Sequence, residues 1–151
     1  MICCAIWSTR FDKREPRDER LACSRATPAF FASGGCGMTL NGSRTALFVA
    51  HPGHELRIHG WLERTHPLVF VLTDGSGGRG QSRLASTQGL IDAAGARCGG
   101  IFGRFTDRTL YRALVGHQHS EFVDVARELA TTLVEHRIDF IAGDSAEGYN
   151  S

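Results

Sequence analysis

Thr45-Ala-Leu-Phe-Val-Ala50, followed by His51-Pro-Gly-His54-Glu55 and then by Leu68-Val-Phe-Val-Leu-Thr73-Asp74-Gly75, is the stretch that decides the fold. Its first and last segments are short, continuous apolar runs, the pattern of parallel strands buried on both faces. Between them Glu55–Thr65 carries Leu56, His59 and Leu62 at helical spacing. Strand, helix and strand in that order predict a crossover unit.

The alternation continues downstream. Ser82–Ala94 reads as a helix with Leu84, Leu90, Ile91 and Ala94 on its apolar face and Gly95 as its stop. Gly99–Phe105 is a short third strand weakened by its glycines. Ser120 is the expected cap of a long helix reaching about His136, with a buried stripe of Phe122, Val125, Ala126, Leu129 and Leu133. Asp139–Gly143 is a further strand. The predicted class is α/β: a Rossmann-like, doubly wound and mostly parallel sheet over residues 45–151.

Residues 1–44 have another character. Cys3-Cys4, a charge-dense stretch from Arg10 to Arg20 and a glycine-rich run at Gly34–Gly37 show no sustained period. They are expected to form a poorly ordered extension, or to precede the native start, for which Met38 is a candidate.

Composition narrows the function. The 151 residues make one domain at most, and a net charge of +1 gives no electrostatic case for nucleic acid. Cys3, Cys4, Cys23, Cys36 and Cys98 form neither a C-x-x-C pair nor an even, regular framework. No apolar run approaches the ~18 residues that span a membrane. Met1–Trp7 lacks the basic region of a signal peptide, and the apolar run before Ser33-Gly-Gly-Cys36 is too short for the lipoprotein cleavage site that this segment faintly resembles. A cytoplasmic protein without a membrane partner is expected.

In open parallel sheets ligands bind beyond the carboxyl ends of the strands. Those positions here are His51–Glu55, Thr73-Asp74-Gly75 and Asp144-Ser-Ala-Glu147, so imidazoles and carboxylates gather on one edge. His51 and His54 sit three apart in a tight loop and could turn towards one cation; otherwise one caps the next helix and one lies on the surface. Asp74 either faces a substrate or holds its own turn. Glu55 begins a helix, where the dipole alone favours it. His117-Gln-His119 is either a second ligand pair or a solvated turn. Asp144 and Glu147 are candidate oxygen ligands.

A rival feature is Gly75-Ser-Gly77-Gly-Arg-Gly80, which matches the glycine pattern that cradles a dinucleotide pyrophosphate. It follows the second strand rather than the first, and no carboxylate ends the next strand to hold a ribose, although Arg104 could meet a 2′-phosphate.

Leu47-Phe-Val-Ala-His51-Pro-Gly-His54-Glu55, with Val71-Leu-Thr-Asp74-Gly75 about twenty residues later, resembles the PIG-L/LmbE-type zinc-dependent N-deacetylases. That family opens with A-H-P-D-D-E, ends its second strand in T-D-G or a close variant, and has R-x-x-E on the next helix, here Arg83-Leu-Ala-Ser86. The resemblance implies zinc held by His51 and by His54 in place of an aspartate. It implies Asp74 and Arg83 as catalytic residues, Asp74 orienting the water or substrate and Arg83 positioning the loop or an anionic group, on an N-acylated small molecule such as an amino sugar or glycoside. It puts Gly53 where the family has its general base and Ser86 where it has glutamate. The family's third ligand, a later histidine, is expected where this sequence stops. Weak or lost activity of a partial domain is therefore part of the expectation, alongside the nucleotide-binding alternative.

Overall fold

The computed structural model describes residues 5–8 and 42–144. Met38, the segment Ser33–Cys36, the cysteines Cys3, Cys4, Cys23 and Cys36, and Glu147 with the expected terminal loop lie outside the described residues. The elements are β1 (Ala5–Ser8), β2 (Thr45–Val49), α1 (His59–Thr65), β3 (Leu68–Thr73), α2 (Leu84–Ala93), β4 (Arg97–Phe105), α3 (Asp107–Val115), α4 (His119–Glu135) and β5 (Phe140–Gly143).

The sheet order is β1-β5-β2-β3-β4. β5, β2, β3 and β4 are all parallel, and β1 adds an antiparallel edge to β5. The predicted Rossmann-like α/β class is therefore the observed one. From β2 the chain moves one way to β3 and β4, then returns to place β5 on the other side of β2. The switch point of the sheet thus falls between β2 and β5.

The apolar runs are buried on both faces because successive side chains alternate. Leu47, Val49, Val69 and Val71 pack with Leu62 of α1 and Ile91 of α2. Ala46, Phe48, Leu68 and Phe70 pack with Val125, Leu129 and Leu133 of α4. Leu62 is wholly buried, a contribution of about 1.5–3 kcal/mol.

Several local expectations change. The first helix is split into a 3-10 turn, His54–Ile58, and α1, and Leu56 is 60% exposed rather than part of the core. Ser120 does not cap α4: the helix starts at His119 after Gln118, with no side-chain cap. Ala126 faces solvent. The third strand is longer than its glycines suggest. A Cβ at Gly99 would lie 2.2 Å from the Phe70 ring, and one at Gly103 would lie 2.2 Å from a Leu84 methyl. Large residues of β3 and α2 occupy the space those glycines leave. α3, directly after β4, is an element absent from the sequence reading.

β2 and β5 are tied at both ends. At the amino ends Arg44 N donates to Asp139 Oδ2 (2.9 Å) and Asp139 N to Arg44 O (2.8 Å). At the carboxyl ends Ala50 N donates to Asp144 Oδ2 (2.8 Å).

Candidate functional site

The loop after β2 is shaped by Gly53, whose φ of +103° lies where other residues are strained. Below the loop is Glu55, 1% exposed. Its carboxylate accepts from Gly53 N (2.7 Å) and from Thr87 Oγ1 of α2 (2.8 Å), so a buried charge is hydrogen-bonded on both oxygens. Glu55 is thus a clamp that fixes the loop to α2. Pro52 packs on Gly75, where a Cβ would meet Pro52 and Arg83 at 2.9 Å.

This scaffold turns His51 and His54 into one cleft of about 450 Å³, lined also by Gly77, Gly78, Arg83, Asp107, Arg108 and Tyr111. The two rings meet edge to face with centroids 5.5 Å apart. His51 Nδ1 is 2.8 Å from Thr73 Oγ1 and donates to Asp107 Oδ1 at 3.0 Å. His54 Nδ1 donates to Asp144, whose two oxygens are each 2.9 Å away. An ionised carboxylate can only accept, so Nδ1 carries the proton in each case. In the neutral ring Nε2 then keeps its lone pair, the orientation of metal-ligating histidines with a carboxylate behind them.

Asp107 is 8% exposed and begins α3. Burial pushes its carboxyl up, but hydrogen bonds from Thr73, Gly77 N and His51, with the His51 charge, outweigh this and hold it below the ordinary carboxylate value. Gly77 N donates to Asp107 Oδ2 at 2.7 Å, so both carboxylate oxygens are engaged.

The other predicted residues take varied places. Arg83 lines the cleft, with Nε donating to Gly75 O (2.8 Å). Asp74 stays off the cleft lining, and its Oδ1 accepts from Ser76 N (3.0 Å), the turn-holding role. Asp144 supports His54. Ser86 is exposed on α2, and Arg104 pairs with Glu128 of α4. His117 lies in the α3–α4 connection and His119 opens α4; both are exposed, with rings 5.8 Å apart and outside the cleft lining. In the glycine loop, Ser76 N, Gly77 N and Gly80 N donate to Asp74, Asp107 and Ser76 O. Those three amides are already satisfied within the chain and not offered to a pyrophosphate.

Asp107, Arg108 and Tyr111 are site residues that the sequence reading missed. Asp107 follows β4 as His51 follows β2, so the rule of strand carboxyl ends selects it once the Gly99–Phe105 run is given the weight of a full strand.

As a zinc site, the histidines fit in kind: two imidazoles, each with Nδ1 held by a carboxylate and Nε2 left over. They do not complete a ligand set, because no group of three or more His, Cys, Asp or Glu suited to a metal occurs among the described residues. Among those residues no helix is long and apolar enough to cross a membrane. No protein-family model, curated protein or solved structure matches the chain.

Proposed function

We propose that this chain is a metal-dependent hydrolase that removes an N-acyl group, with an N-acetylated amino sugar or glycoside as the substrate class and zinc as the metal. The observation that carries the reading is the paired support of His51 and His54: each Nδ1 is bound by a carboxylate, which leaves Nε2 as the ring's remaining nitrogen, and both residues line one cleft. The resemblance of Ala50–Glu55 and Thr73–Gly75 to the PIG-L/LmbE motifs supplies the reaction.

His51 and His54 would hold the metal. When bound, zinc supplies a Lewis acid for the acyl carbonyl and lowers the pKa of a water. Asp107 and Asp144 fix the rings, Glu55 and Thr87 hold the loop, and Asp74 shapes the turn beside the cleft. Arg83 braces Gly75 and faces the bound molecule. Catalytic zinc ordinarily has three protein ligands, so the reading needs one donor beyond these two. It also needs a proton acceptor, since Gly53 has no side chain and Asp107 is committed to His51 and Gly77. Slow turnover is the expected consequence, and the same gap favours a non-catalytic binding role as the second reading. A cytoplasmic setting belongs to the proposal: five irregularly spaced cysteines suit a reducing compartment.

The test is the zinc content of the purified full chain by mass spectrometry, beside His51→Ala and His54→Ala. About one zinc per chain, lost in both variants, is the expected outcome. No uptake at micromolar zinc removes the hydrolase reading.

A further inference from the structure

The cleft that holds His51 and His54 is also lined by two arginines, Arg83 and Arg108. Asp107, the one carboxylate on that lining, has both oxygens engaged by His51 and Gly77. Among the described residues neither Arg83 nor Arg108 forms an ion pair, whereas Arg104 and Arg127 do.

The placement of each arginine is also informative. Arg83 is already oriented: Nε donates to Gly75 O, and Nη1 lies 3.8 Å from where a Cβ at Gly53 would stand. Its remaining N–H groups are carried by a fixed fork, so little rotamer freedom remains to be lost on binding. Arg108 is the second residue of α3. A cation there faces the positive end of the helix dipole, a placement that disfavours the helix. Helix stability therefore does not account for Arg108. Tyr111, one turn further on, is 61% exposed and sets an aromatic face on the same lining.

We propose that the cleft recognises a substrate bearing an anionic group, a carboxylate or a phosphate ester, which Arg83 and Arg108 bind while a sugar face rests on Tyr111. Planar guanidinium forks match both oxyanions. The inference takes the N-acyl sugar from the preceding reading, but the anion contact needs no metal.

The experiment is calorimetric titration of the full chain, in metal-free buffer and again with zinc, using three probes. These are N-acetylglucosamine, its 6-phosphate and N-acetylmuramic acid, which carries a carboxylate. At least one charged probe binds about tenfold or more tighter than the neutral sugar in both buffers, a preference that shrinks as salt rises. Whichever charged probe binds better identifies the oxyanion. Arg108→Gln and Arg83→Gln each remove most of that preference, while Arg127→Gln, the same charge change on α4, leaves it intact. Equal binding of charged and neutral probes overturns the proposal, as does a preference that survives both cleft variants. Selective binding by a chain that takes up no zinc upholds it while removing the hydrolase reading, so the two fail separately.

Discussion

Thr87→Val tests whether Glu55 clamps the histidine loop. The substitution keeps the shape of Thr87 and deletes the hydroxyl that donates to Glu55 Oε1 at 2.8 Å. Both residues are almost fully buried, at 3% and 1% exposure, so water cannot replace the lost partner. A hydrogen bond to an ionised group contributes about 1.5–3 kcal/mol, and an orphaned buried acceptor keeps its desolvation penalty. With a shift of about 4–8 °C per kcal/mol for a domain of roughly this size, a loss near 2 kcal/mol lowers Tm by about 8–16 °C. Thermal melts followed by circular dichroism measure it. Thr131→Val is the control, because Thr131 is exposed and donates to Arg127 O of its own helix. A double-mutant cycle with Glu55→Ala isolates the pair, and its coupling should exceed about 1 kcal/mol. A Tm loss below about 3 °C together with near-zero coupling would refute the clamp. Because Glu55 also holds Gly53 N, zinc uptake by Thr87→Val should weaken in parallel.

Asp144→Asn removes the charge behind His54 while keeping an acceptor for Ala50 N. Zinc affinity, read by competition with a chelating dye, should fall about 10–100-fold, as is usual when such a supporting group is changed. Gly53→Asp returns a carboxylate to the position where the resembled family has its base. At φ +103° it costs about 1–2 kcal/mol, and release of acetate from N-acetylglucosamine by the zinc-loaded chain should rise above the native rate. An unchanged rate means that the missing base is not what limits turnover. The carboxyl of Asp107 titrates below its unfolded value. Its contribution to stability is therefore complete above the ordinary carboxylate pKa and lost as pH falls through the lower folded value. Tm measured from pH 6 down to pH 3 should drop less steeply in Asp107→Asn than in the native chain.

The parallel core was legible because β2 and β3 are continuous apolar runs that nothing interrupts. His51 and His54 were legible because they directly follow one of those runs. β4 was only partly so: Gly99 and Gly103 look like interruptions until the Phe70 ring and Leu84 are seen to fill their space. That misreading hid Asp107, since a strand taken as short and weak draws no attention to the residues beyond its end. α3 buries little beyond Asp107, Leu110 and Ala113 and leaves Tyr111, Leu114 and Val115 exposed, so its apolar signal points partly outward. For Asp74 the sequence offered two roles, and the hydrogen bond from Ser76 N corresponds to the turn-holding one. Long-range partnerships such as His54 with Asp144, 90 residues apart, have no local pattern at all.

Asp144 touches both the end of β2 and the ring of His54, although it stands at the end of the last described strand. The pocket is consequently finished late in the chain's own order: until β5 docks, His54 lacks its support and the tip of β2 keeps a bare amide. Any ligand that prefers the supported imidazole must then favour the docked strand by the same free energy. Occupancy of the cleft would slow amide exchange in β5, on the far side of β2 from β3, and a chain whose last strand is peeled away would lose affinity before its core melts. The cleft thus registers whether the sheet has been closed.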